Sequence, residues 1–176
     1  MPPPPKPFNE TERYAALMSH RLTQGVLGDA KTERLVMAAA ERFSVPQAAV
    51  ALVAQTQVYF VAQFGIGFHS MPRDISFCGY AIHSRSPLIV EDATKDARFA
   101  DNPLVTAGPL ARFYAGVPLV DDEGYCLGTF CTVDTRPRSL TAEQISELVG
   151  FSLRAMQRVD FLTTIAAMSA DRQILR

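Results

Sequence analysis

The stretch that most constrains this chain is Arg112 to Asp134, RFYAGVPLVDDEGYCLGTFCTVD. Two apolar runs flank Asp121-Asp122-Glu123-Gly124, an acidic cluster ending in glycine, and that order signals a hairpin loop. Strand side chains alternate with period two, which gives Phe113, Ala115, Val117 and Leu119 one face of the first arm. The same rule gives Leu127, Thr129, Cys131 and Val133 a common face on the second. Both arms are nearly free of charge, so the hairpin belongs near the middle of a sheet. Pro118 has no N–H to donate, so one edge must be open or irregular there.

Such a hairpin needs strands beside it and helices over it. Residues 1–8 read as a mobile, proline-rich leader. Thr11 to Gln24 is helix-like, with Tyr14, Leu17, Met18 and Leu22 at spacings of three and four, and Gly25 and Gly28 break it. Asp29 suits the N-cap of a second helix over 30–43, whose apolar face is Leu35, Val36, Ala39, Ala40 and Phe43; Ser44-Val45-Pro46 ends it. Phe43 to Pro72 carries no Asp, Glu, Lys or Arg and is long enough to span a membrane. Its glutamines, with Pro46, Gly65 and Gly67, would be costly in lipid, so it reads instead as strands 48–54 and 58–64 joined at Gln55-Thr56-Gln57. A loop over 65–71 follows.

A short helix started by Asp74 or Ser76 and a strand over 87–91 come next. Residues 94–109 read as loop, with a turn of helix near Arg98; a loop that long inside a domain is more often functional than idle. Thr141 caps a last helix running through Ile145, Leu148, Val149, Ser152, Met156, Val159, Leu162 and Ile165. Fully helical to the end, it would reach about 54 Å at ~1.5 Å per residue, whereas a domain of this size is only ~30–40 Å across. Its second half is therefore expected to project. Because its apolar side chains continue, the functional reading is a dimerising or signal-transmitting rod; the plainer one has it folding back on the first helix or fraying. The helix meets no Gly or Pro stop before Arg176, as expected either of a piece cut from a longer protein or of a free C-terminus.

Composition excludes some partners. Seventeen basic against eighteen acidic side chains leave a formal charge of −1, with no footprint for nucleic acid or an anionic membrane. Three cysteines without a CxxC pair fit a reducing cytoplasm, and PPPPKP after Met1 is no secretory signal.

Several runs then resemble a known family. Pro72-Arg73-Asp74-Ile75-Ser76-Phe77-Cys78 with Ala81-Ile82, and Val90-Glu91-Asp92-Ala93 with Asp96, Arg98, Phe99, Asn102 and Pro103, are similar to the sensory GAF domains found ahead of diguanylate cyclases and histidine kinases. So are Arg112-Phe113-Tyr114-Ala115-Gly116, Gly128-Thr129-Phe130-Cys131, and Asp134 with Pro137-Arg138 and Leu140. The resemblance covers about residues 20–160. It implies an α+β fold: an antiparallel sheet of five or six strands, terminal helices on one face, and on the other a pocket under the short helix and the long loop. The expected division is a leader over 1–8, a sensory domain over 9–160 and a helical extension over 161–176.

The candidate pocket comprises Phe77, Cys78, Asp92, Arg98, Phe99, Asn102, Arg112, Tyr114, Thr129 and Cys131. Arg73, Arg98 and Arg112 lie near Asp74, Asp92, Asp96, Asp101 and Asp134; either these pairs lock the loop to the sheet, or one arginine awaits an anionic ligand. Phe77, Phe99, Phe113 and Tyr114 either line the cavity or fill the core, and alternation allows only one of Phe113 and Tyr114 over a pocket.

A related branch, the free methionine sulfoxide reductases, uses a loop cysteine before the hairpin's first arm, and Asp101 to Ala111 has none. Cys126 and Cys131, five apart, are expected on opposite faces, and Cys78 reads as a buried apolar residue. His20, His69 and His83 lack metal-ligand spacing, and only His83 near Cys78 could serve a haem or bilin. No specific cofactor is indicated. The chain therefore reads as a regulatory domain, not an enzyme, that senses an unknown small molecule. It would act as a homodimer through its terminal helices on an output domain, kinase or cyclase. The alternative is a ligand-free interaction module closed by its own aromatics.

Overall fold

The structure, a computed structural model, describes residues 2–20 and 29–174, with side chains as far as Thr164. In chain order the elements are α1 (Glu10–Ser19), α2 (Ala30–Phe43), β1 (Gln47–Val53), β2 (Gln57–Phe64), β3 (Ser70–Pro72), α3 (Phe77–Ala81), β4 (Leu88–Val90), α4 (Pro103–Thr106), β5 (Phe113–Val120), β6 (Cys126–Asp134) and α5 (Ala142–Ile174). The strands form one six-stranded sheet in the order β3-β2-β1-β6-β5-β4, and every neighbouring pair is antiparallel.

The hairpin is β5 and β6, with β6 in the interior of the sheet. Short β4 pairs only with Tyr114 to Gly116, so Pro118 lies past its end, on the open edge that a residue without an N–H requires. The Ser152 hydroxyl, buried on α5, donates to the Pro118 carbonyl at 2.9 Å.

One part of the expected alternation fails. The ladder shifts between Leu119, opposite Gly128, and Val120, opposite Cys126. The extra residue on β6 reverses its parity, as a bulge does. Leu127 therefore joins the helix-side core, whereas Cys131 and Val133 pack on the other face. Cys126 joins Cys131 in that second layer instead of facing away from it.

The helix side follows from caps and apolar stripes. Asp29 accepts from the Thr32 N–H at 2.9 Å and starts α2, and Ser44 ends it in the left-handed region at φ 50°. Thr141 and Gln144 exchange bonds of 2.9 and 3.3 Å in a capping box that starts α5. Helices α1, α2 and α5 bury Leu17, Val36, Phe43, Leu148, Phe151 and Val159 against Leu52, Phe113, Leu119 and Phe130 of the sheet. Arg158 of α5 pairs with Asp29, and the Thr163 hydroxyl lies 3.1 Å from His20 Nδ1. The 33 residues of α5 span about 50 Å at ~1.5 Å each. The expected helix over 11–24 is α1 to Ser19; Leu22, Gly25 and Gly28 lie outside the described residues.

On the second face the expected 65–71 loop ends in β3, too short for alternation to reveal, and Arg73–Ile75 make a single 3-10 turn. The long loop winds its helical turn at Pro103–Thr106 instead of near Arg98. Asn102 supplies the cap and Pro103 the first helical position, while Asp96 folds a tight turn back onto the Arg98 N–H at 3.0 Å. Among the described residues no helix is long and apolar enough to cross a membrane.

Candidate functional site

The second face is built around α3. Ser76 accepts from the Gly79 N–H at 3.2 Å and starts this one-turn helix, which lowers Phe77 and Cys78 onto the sheet. Tyr114 rises from β5 to meet them. Its ring lies along the strand over Gly116, where a β-carbon would stand 2.1 Å from the Tyr114 hydroxyl, so only glycine leaves it room. Phe77 stacks on Tyr114 at 5.1 Å between centroids and on Phe99 at 4.3 Å, and Tyr80 meets Phe99 edge-on at 4.8 Å. Phe99 comes from the long loop and is fully buried. Three elements thus close on one column of rings, each pair contributing about 0.5–1.5 kcal/mol beyond its burial.

Beside the column lies a small polar cluster. The Tyr114 hydroxyl donates to Cys78 Sγ at 3.5 Å, and Cys131 of β6 lines the same opening as Cys78. Thr129 is fully buried and its Oγ1 meets no conventional partner, lying alongside the two thiols. Burial, reinforced by the neighbouring sulfurs, pushes the Tyr114 phenol well above its ordinary value.

Six of the ten expected pocket residues therefore meet on this face: Phe77, Cys78, Phe99, Tyr114, Thr129 and Cys131. Phe113 turns to the helix side. The remaining four hold the loop. Asn102 donates to the Ile75 carbonyl at 2.9 Å, and Arg112 donates to those of Val105 and Ala111 at 2.9 and 3.1 Å. Asp92 accepts from the Thr94 hydroxyl, and Arg98, half exposed, grips Asp96 and lies 5.1 Å from the Phe99 centroid. Asp134 takes Arg138, which also donates to the Ser44 carbonyl at 2.6 Å. His83 is exposed just past α3.

What remains open is a slot of about 50 Å³ lined by Phe60, Phe68, Met71, Leu104, Val133, Phe77 and the two thiols, Cys78 and Cys131. Drug-sized ligands occupy roughly 300–1,000 Å³, so a nucleotide does not fit this conformation. Phe60, Phe68 and Met71 went unassigned in the sequence. The alternation of Val58 and Phe60 along β2 is the signal that could have placed Phe60 on this face.

A second feature was also illegible. Arg73 and Arg13, both almost fully buried, converge on Glu10, with Arg13 Nε to Glu10 at 2.8 Å. Arg73 also donates to the Ala54 carbonyl at 3.0 Å, and Arg13 to that of Cys126 at 3.3 Å. Burial alone would raise the Glu10 pKa, but hydrogen bonds from both arginines hold it down at about 2. Ahead of Glu10, Pro4 and Pro7 are buried and the Tyr80 hydroxyl donates to the Pro2 carbonyl at 2.6 Å, laying residues 2–8 along α3 as a strap. A β-carbon on Gly79 would stand 2.8 Å from the Pro4 ring.

Comparison with known proteins decides the family. The family model described as the GAF domain matches residues 29–167. The chain belongs to the GAF family. Membership gives it a regulatory signalling role. A cyclic di-GMP phosphodiesterase of Pseudomonas aeruginosa is 37% identical over 164 residues, which are 92% of this chain and 28% of that protein. This GAF domain thus spans little more than a quarter of that relative. Among solved structures, the GAF domain of a phosphoenolpyruvate-protein phosphotransferase from Coxiella burnetii superposes with a TM-score of 0.65 at 11% identity, covering 89% of this chain and 98% of that one. The type II free methionine-R-sulfoxide reductase of Thermoplasma acidophilum gives 0.63 at 10% identity, covering 80% and 96%. Identities that low speak to the fold alone.

Proposed function

We propose that this GAF domain is a regulatory module whose pocket position is filled by its own side chains. In this reading it acts through its terminal helices on an output enzyme of cyclic-dinucleotide turnover. The observation that carries it is the column of Phe77, Phe99 and Tyr114, which stands where a ligand would otherwise sit between α3, the long loop and the sheet. The relative in Pseudomonas aeruginosa supplies the class of output. Leu153 and Phe161 are 62% and 50% exposed on α5, and covering them suits a second copy of the chain.

The test is a thermal-shift and calorimetric series with cyclic AMP, cyclic GMP and cyclic di-GMP. A ligand present at 100 times its dissociation constant stabilises the fold by about 2.7 kcal/mol, and none of the three should. A clear rise in Tm with any of them returns the domain to the class of nucleotide sensors. A second reading, sensing of a compact apolar molecule, is favoured by the slot itself, and a fragment screen read by the same shift addresses it.

A further inference from the structure

The two thiols in the slot are placed for chemistry that the regulatory reading does not use. Cys78 and Cys131 come from different elements, α3 and β6, yet both line the same apolar opening. Each is almost fully buried, and both belong to the same layer of the core. Around Cys78 stand the Tyr114 hydroxyl at 3.5 Å and the Ser76 hydroxyl, with the unpartnered Thr129 hydroxyl completing the ring of polar groups. Hydrogen-bond donors to a buried sulfur favour its thiolate, against the apolar surroundings that favour the thiol. A buried hydroxyl without a conventional partner is unusual in a packed interior and gains one when negative charge develops on the sulfur.

We propose that Cys78 and Cys131 form a modification site in which a small peroxide, entering through the slot, oxidises the pair to a disulfide. A site holding one water needs roughly 10–15 Å³, so the slot of about 50 Å³ admits a peroxide and excludes bulky alkylating agents. The Cys78 thiolate attacks one peroxide oxygen: an S–O bond forms, the O–O bond breaks, and hydroxide leaves to take up a proton. The Cys131 thiol then attacks Cys78 Sγ: the S–S bond forms, the S–O bond breaks, and the departing hydroxide leaves as water with the Cys131 proton. Two thiols and one peroxide give one disulfide and two waters.

The assignment of roles follows from surroundings. Cys131, with the hydroxyls of Thr129, Tyr114 and Ser76, lowers the Cys78 pKa against the burial that would raise it. The Tyr114 hydroxyl donates to Cys78 Sγ, which marks Cys78 as the attacking sulfur and leaves Cys131 to resolve it. Cys126 is the internal control: its Sγ donates to the Ser84 carbonyl at 3.6 Å and burial raises its pKa. A bridge would tie α3 to β6 beside Phe77 and fix the ring column shut. The thiols are neighbours whether or not the column ever opens, so this chemistry stands apart from the ligand question.

The experiment treats the intact protein with graded hydrogen peroxide, unfolds it in N-ethylmaleimide, and maps the products by mass spectrometry. Three maleimide adducts before oxidation should fall to one, on Cys126, with Cys78 and Cys131 recovered as one cross-linked peptide. The pair should oxidise at least ~10-fold faster than Cys126, whose Sγ is engaged with the Ser84 carbonyl. Cys131→Ser should stop at a sulfenic acid on Cys78, with its melting curve confirming the fold. Adducts on Cys78 and Cys131 persisting at peroxide levels that oxidise Cys126, or a Cys131→Ser protein in which Cys78 stays unoxidised at levels that oxidise Cys126, would each overturn the proposal.

Discussion

The helix face of the sheet and the pocket face bury their side chains by different means. On the first, three helices, α2 and α5 with side-chain caps, cover aliphatic residues and the Phe130–Phe151 stack at 5.5 Å, and α5 alone runs 33 residues. On the second, a five-residue helix and a long loop cover a ring column, three thiols and a slot. Helices that short do not stand on their own hydrogen bonds. The pocket face is held by tethers instead: Asn102 on Ile75, Arg112 on Val105, and Glu10 between two arginines. A face held by tethers can be released one tether at a time; a face held by continuous packing yields only as a whole.

The largest expected effect tests that difference directly. Phe130→Ala should cost about 3–5 kcal/mol in urea unfolding, because rigid helices cannot collapse into the void, and Phe99→Ala should cost less because its loop can. Equal losses would break the contrast. Next in size is the arginine cluster. Arg73→Ala leaves Glu10 to Arg13 alone and takes a donor from the Ala54 carbonyl, and should cost about 2–4 kcal/mol, overlapping the range for breaking a buried pair.

The same cluster carries a pH signature. Glu10 titrates near 2 when folded, below its ordinary 4.5, so its contribution is complete above pH 4.5 and fades as pH falls toward about 2. Discounted for its partial exposure, that is about 2 kcal/mol or less, and the gap between the native protein and Glu10→Gln in urea melts should close across this window. Ser152→Ala, which removes a donor from the Pro118 carbonyl, should cost about 1 kcal/mol. Smallest of all, Thr129→Val should change stability by less than about 0.5 kcal/mol, since its hydroxyl has no conventional partner to lose. A loss above about 1 kcal/mol would mean that the thiol cluster holds the pocket face more tightly than its tethers do.

Most of the helix face was legible in the sequence. Asp29, Thr141 and the stripe of Val36, Ala39 and Phe43 act through local periodicity and capping, and local rules survive folding. Six of the pocket positions were also legible, through motif resemblance. The side taken by Cys126 was not, because a bulge at Leu119–Val120 reverses the parity of β6, and period-two reasoning cannot see an inserted residue. Arg73 illustrates the other limit. It sits beside Asp74 in sequence, but its carboxylate is Glu10, which only tertiary folding brings near. The slot's Phe68 and Met71 fell in a charge-free run that read as a loop without a preferred side.

The strap of residues 2–8 places the amino end of the domain in mechanical series with the lid of its own interior. Gly79 is bare because Pro4 presses against it, and Tyr80 grips Pro2 from the next position along. A load applied ahead of Pro2 reaches α3 before it reaches any strand, whereas one applied at α5 meets the sheet first. The two ends of the chain are thus a fine handle and a coarse one on the same molecule.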